Sequence, residues 1–262
     1  MRFSKLITSS YFRYNNLSKI DAYNIDLNFS FLSSEEKLNY LINSRYYVDL
    51  LYTFGTDHQS ALPEVTTLMY DTELRNKGLV LKSSNKMKQQ VLQSNDEQLI
   101  NVYEFWVASK KELASQLSLP ADKRTVSIDT LETNVNSLEK EINRKVTVRQ
   151  DEGMQNWKEV KKSRSEGQAA IEFGYFYLQR DTSVPMYGAL IITKASPAPI
   201  YVELCSASSL LDVLGEYGGN NLAYVNKVYG KSGNLNTQLF QLIWKPMMPS
   251  LKGIKEVCFA PT

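Results

Sequence analysis

The sequence predicts an α/β chain with an N-terminal all-α region. Helical, repeat-like segments fill residues 33–150, and an incomplete α/β sheet follows over 151–262. Three observations carry this. Apolar residues recur at spacings of three and four as far as about residue 145, the period of an amphipathic helix. From Ala169 the pattern changes to short, near-continuous apolar runs alternating with helical stretches, as in a layered α/β domain. Between the two lies Trp157–Lys194: a Lys-rich helix, an apolar strand, a polar turn containing Pro185, and a second strand from Tyr187 to Ile192.

Residues 1–32 are rich in Tyr, Asn and Ser without a sustained period, and read as an irregular lead-in or the edge of a helix. At Ser33 the SSEE stretch offers a capping box, with Ser33 as cap and Glu36 reaching back. Leu38, Leu41, Ile42, Tyr46, Val48 and Leu51 continue one helix as far as Gly55. Pro63-Glu64 opens a second helix, with its register interrupted near Gly78 and resumed at Met87. Asn95-Asp96 caps a third, carrying Leu99, Val102, Tyr103, Trp106, Leu113 and Leu117 until Pro120 stops it. Over 128–145, Ile128, Leu131, Val135, Leu138 and Ile142 form the seam of a paired, coiled-coil-like helix, and packing on the preceding helix is the economical partner.

Ala169–Leu178 and Tyr187–Ile192 are apolar enough for strands covered on both faces. Ile200–Leu204 is a third strand. Ser206 or Ser208 caps a helix ended by Gly218-Gly219, and Asn220–Gly233 reads as an exposed connection. Asn234 or Asn236 starts a helix disturbed by Pro246 and Pro249, and Glu256–Ala260 is a last strand. With no helix after that strand, half of a domain is expected to be absent. A face or edge formed by Ile171, Phe173, Leu190, Ile192, Val202 and Val257 is then only partly covered, which favours self-association.

Composition narrows the function classes. Of 262 residues 43% are apolar and 22% charged, a globular balance that excludes a disordered chain. A formal net charge of +2 is no footprint for nucleic acid; Lys158, Lys161, Lys162 and Arg164 fall on one short helix and read as a solvated face. No apolar run approaches the roughly 18 residues of a membrane span, and the N-terminus lacks the apolar core of a signal peptide. Two cysteines, Cys205 and Cys258, make no disulfide framework. The expectation is a cytoplasmic protein with a protein partner, without nucleic acid or membrane.

WKEVKKSRSEGQAAIEF, YGALIITK, PIYVEL and LIWKPMMPSLKGIKEVCFAPT, taken together, resemble the opening of a CHAT domain, the caspase-like module found behind tetratricopeptide-type helices in bacterial proteins. FLSSEEKLNYL, LRNKGLVLKSS and VYEFW resemble the helical region preceding it, so the likeness runs from about Phe29 to the last residue. The resemblance implies a caspase-like sheet and a Cys/His dyad in which imidazole withdraws the thiol proton. In that family both dyad residues lie beyond the strand matched by Glu256–Ala260, and no catalytic residue carries over.

Read by themselves, the chemistry-bearing residues are bland. His58 is the only histidine and sits in GTDHQS, a polar loop between helices, where a surface imidazole is the default. Cys205 ends IYVELC and Cys258 lies in VCFA, both as packing thiols. One histidine and two separated cysteines are too few for zinc, and GEYGGNN and YGKSGN lack phosphate-loop spacing. Glu35-Glu36 and Asp96-Glu97 sit at helix starts, and Tyr46, Tyr47, Tyr52, Tyr103, Tyr175 and Tyr177 read as core or packing-edge residues. No catalytic, cofactor or metal site is assigned. The expected function is a non-catalytic helical scaffold joined to the first half of a CHAT domain. The alternatives are a cysteine peptidase using Cys205 or Cys258 with His58, and a stand-alone adaptor pairing through the 128–145 seam.

Overall fold

The structure is a computed structural model that describes residues 2–146, 156–216, 218–219, 221–230 and 235–261. Among the described residues helices account for the elements as far as Lys145, and strands first occur from Gln168. The predicted sequence of an all-α region followed by a sheet with helices is the observed one. The expected boundary at 150/151 and the residues Lys231–Asn234 of YGKSGN lie outside the described residues.

The lead-in expected over 1–32 is a helix instead: α1, Arg2–Phe29, is 28 residues long. Its period is hidden because apolar residues occupy both faces. Ile7, Tyr11, Tyr14, Ile25 and Phe29 pack inward, whereas Phe12, Ile20, Tyr23 and Leu27 are exposed. The single helix expected from Ser33 to Gly55 is two, α2 (Ser34–Asn43) and α3 (Tyr46–His58). The Ser33–Glu36 capping box is present in full. Gly55 lies within α3, because α4 (Val65–Gln93) comes close there and a β-carbon would overlap the Met69 sulfur. Helix α4 runs unbroken through Gly78, beside which space is open.

Asp96 caps α5 (Glu97–Ser118), accepting from the Leu99 N–H at 3.0 Å, and Ser127 caps α6 (Ile128–Lys145). The seam of α6 packs within the chain, as its period predicts: Val135, Leu138 and Ile142 join Leu99, Val102 and Trp106 of α5. Helix α7 (Trp157–Lys162) starts with an Asn156–Glu159 capping box.

The sheet comprises β1 (Gln168–Leu178), β2 (Asp181–Thr193), β3 (Ile200–Ser206) and β4 (Glu256–Ala260), in the order β3-β2-β1-β4. β1–β2 and β2–β3 are antiparallel and β4 is parallel to β1. Pro185 is not in the turn. The chain reverses around Gln179-Arg180, and Pro185 pairs with Tyr177 beside a register shift, where a missing N–H is tolerated. α8 (Ala207–Leu214), capped by Ser206, stops at Gly215 (φ 66°) rather than at Gly218-Gly219. The connection expected over 220–233 holds a further helix, α9 (Asn221–Tyr229). α10 (Leu235–Leu239) passes into a π turn, Phe240–Trp244, and a 3-10 segment, Lys245–Leu251, where Pro246 and Pro249 lack the N–H that an α-helix needs.

The chain forms two compact units: Met1–Ser18, Arg45–Arg75 and Gln155–Thr262 in one, Lys19–Ser44 and Asn76–Met154 in the other. In this sheet unit, α3 and the start of α4 supply Leu51, Tyr52, Phe54 and Met69 to one face of the sheet. Met247 and Leu251 pack with Ala169, Ile171, Ala189 and Ile191 on the other. Ile171, Leu190 and Ile192, expected to be partly bare, are therefore at most 1% exposed, and Phe173, Val202 and Val257 are half-buried. Exposure collects at the sheet's edge strands, with Phe259 at 57%.

At the centre of the sheet Gly174 and Gly188 are cross-strand partners. Tyr52 from α3 stacks on Phe176 at 4.3 Å, and its hydroxyl lies where a Gly174 side chain would be. Tyr201 fills the space over Gly188, where a β-carbon would come within 2.7 Å of its ring. Gly174→Ala is expected to destabilise the chain by about 1–3 kcal/mol through overpacking. Combining it with Tyr52→Phe, which removes the obstructing hydroxyl, should cost less than the sum of the single changes in denaturant titrations.

Candidate functional site

The reactive groups are placed on three different elements. His58 is not in a loop: it closes α3, half-buried and edge-on to Phe54 at 4.7 Å. Cys205 lies in β3, buried opposite Tyr187, and burial pushes its thiol pKa up, away from the thiolate a nucleophile requires. Cys258 is exposed rather than buried. It lies on β4, facing away from the cluster that holds its neighbour Val257. β3 and β4 are opposite ends of the sheet order, so the two thiols are at least three strand spacings, roughly 14 Å, apart.

One stripe of α3 holds the β1–β2 hairpin end. Asp49 Oδ1 accepts from the Tyr177 N–H at 2.9 Å, Thr53 Oγ1 accepts from the Gln179 N–H at 3.0 Å, and Asp57 pairs with Arg180. Burial raises the Asp49 pKa, against the lowering effects of the Tyr177 donor and Arg45. The Arg45 guanidinium lies 5.0 Å from the centre of the Tyr175 ring, which also meets Tyr177 and Tyr187 edge-on or tilted. The hydrogen bond with Tyr177, then burial, pushes the Tyr175 phenol up to about 12. Tyr47 and Tyr52 are core, and Tyr103, Tyr175 and Tyr177 are half-buried, but Tyr46 is 64% exposed.

In the helical unit the sequence gives no warning of a buried polar centre. Lys37, 1% exposed, donates to Ser83 Oγ at 3.0 Å and lies over the Phe29 ring. Its pKa is lowered by burial, opposed by the charge of Glu139, itself 2% exposed and accepting from Ser34 at 2.5 Å. A lysine on a serine hydroxyl is the composition of a nucleophilic pair, but closure from solvent leaves no access for a substrate. Its role is to tie α2 to α4 and α6. Glu36 adds a second tie: burial raises its pKa, but the Lys140 and Ser33 hydrogen bonds outweigh this and hold it below the usual range. Asn136 donates to Glu35, and Asn143 to the Leu32 carbonyl at 2.7 Å.

The basic residues of α7 are partly engaged: Lys161 donates to the Ser196 carbonyl, while Lys158 and Lys162 are exposed. The GEYGGNN stretch borders a surface cleft of about 240 Å³ lined by Glu216, Ala223, Tyr224 and Lys227, whose carboxylate is of the wrong sign for phosphate. Among the described residues no three His, Cys, Asp or Glu side chains converge as metal ligands, and no helix is long and apolar enough to cross a membrane.

Asp71 on α4 anchors the start of α7, accepting from the Trp157 N–H at 2.7 Å. Burial raises its pKa to about 6, over the lowering effects of that donor, Arg75 and Lys158. A raised carboxyl pKa contributes stability that is complete below the unfolded value of 3.8 and lost as pH rises through about 6. Asp71→Asn, which keeps a neutral acceptor, should gain on the parent chain between pH 4 and 7 by on the order of 1 kcal/mol, screening considered. Urea titrations at the two pH values measure it.

Comparison with known proteins adds no relative: no family model matches the chain, and no curated protein or solved structure matches it.

Proposed function

We propose that the chain is a cytoplasmic, non-catalytic scaffold whose helical unit binds a protein partner, joined to the first half of a CHAT, caspase-like domain. The CHAT assignment rests on the sequence resemblance. The observation that carries the scaffold reading is the distribution of apolar residues in the helical unit. Its inward residues Ile25, Phe29 and Leu79 are at most 4% exposed, while Ile20, Tyr23, Leu27, Leu38 and Ile42 on α1 and α2 are 51–67% exposed. Large apolar residues gathered on the outer sides of two helices mark association surfaces on soluble proteins. The 128–145 seam, offered by the adaptor alternative, packs on α5 instead.

Two measurements test the reading. Ile20→Lys with Leu27→Lys should leave the melting curve nearly unchanged, as for exposed positions, and reduce binding of an apolar dye; unfolding would place these residues in a core and remove the support. The reduced chain should not hydrolyse peptide substrates. Thiol-dependent hydrolysis lost in His58→Ala and in Cys205→Ser or Cys258→Ser would establish the peptidase alternative.

A further inference from the structure

Strand β4 ends the sheet order and pairs with β1 without interruption from Gln168↔Glu256 to Glu172↔Ala260, whereas both other ladders carry a register shift. The Glu256 N–H donates to the Gly167 carbonyl at 3.2 Å. In a parallel ladder alternate residues face the neighbouring strand. Glu256, Cys258 and Ala260 therefore turn their backbone groups towards β1, and Val257 and Phe259 turn theirs outward. Both lie on the side of the Met247–Leu251 cluster. Phe259 is edge-on to Phe173 at 6.0 Å and to Trp244 at 6.3 Å, yet 57% exposed. The opposite edge, β3, has its register shift and an exposed Glu203, devices that discourage strand addition. β4 has no register shift, and its one charged residue, Glu256, stands at its first position and accepts from Gln168 of β1 at 2.7 Å.

We propose that β4 pairs antiparallel with β4 of a second copy of this chain, about a two-fold axis through Cys258. The occupant follows from the strand's match to itself. In this register Val257 of each copy faces Phe259 of the other, a favourable β-branched–aromatic pair, and the four outward N–H and C=O pairs exchange hydrogen bonds. Glu256 meets Ala260. Moving the axis to Glu256 opposes two like charges. Moving it to Phe259 sets Val257 against Pro261, which has no N–H. Moving it to Val257 sets Lys255 against Phe259. This inference is independent of the scaffold reading, which concerns α1 and α2.

The whole chain, reduced, should show a concentration-dependent monomer–dimer equilibrium by sedimentation. Val257→Pro removes an N–H that β1 does not use, so the sheet should persist by circular dichroism while dimer affinity falls about tenfold or more. Phe259→Lys should weaken the dimer similarly with the backbone intact, which keeps the test decisive should the proline variant unfold. Opposed residues on the axis have Cα atoms about 4.5 Å apart, within disulfide reach. Diamide should therefore link the dimer in Cys205→Ser and not in Cys258→Ser. A monomer at every concentration, or a dimer indifferent to Phe259→Lys, would overturn the proposal. A dimer sensitive to that change but not linked through Cys258 would overturn the two-fold register.

Discussion

The sheet unit depends on one close approach. Tyr52 reaches from α3 onto the sheet where Gly174 has no side chain, and its hydroxyl donates to Glu73 of α4 at 2.9 Å. That single residue ties two helices to the sheet, and its ring, stacked on Phe176 and edge-on to Tyr201 at 5.8 Å, fills the space above Gly174 while Tyr201 fills that above its cross-strand partner Gly188. Burial first, then the Glu73 charge, raise the phenol pKa well above its ordinary value, so the hydroxyl is a donor at any physiological pH. The hairpin clamp at Asp49, Thr53 and Asp57 follows from the same seating of α3: residues four apart along a helix reach one edge of the strand pair.

The helical unit solves its packing differently. Its centre is polar, with Lys37, Glu139 and Ser83 closed from solvent and Ser34 half-buried beside them. A buried charge without partners would be strongly unfavourable, so these hydrogen bonds select one arrangement of α2, α4 and α6 over slipped ones. Two apolar clusters belong to the same unit, one around Ile25 and Phe29 and one around Trp106 and Ile142. Apolar residues on the outer sides of α1 and α2 are left in solvent.

Sequence by itself determined what depends on neighbours a few residues away. The Ser33–Glu36 box, the Asp96 cap, the period of α6 and the apolar runs of β1, β3 and β4 are local hydrogen bonding and local pattern, and each was legible. Tertiary structure decided the rest. α1 escaped because its two apolar faces erase the period, one face being meaningful only once Tyr47 and Leu79 are in place. Helices α3 and α4 belong partly with a sheet that begins about a hundred residues later, a pairing no local window contains. Burial of Lys37 and exposure of Cys258 reverse what residue type suggests, because both are properties of the surroundings: Ser83 and Glu139 supply partners for the ammonium, and the edge position of β4 leaves its thiol uncovered.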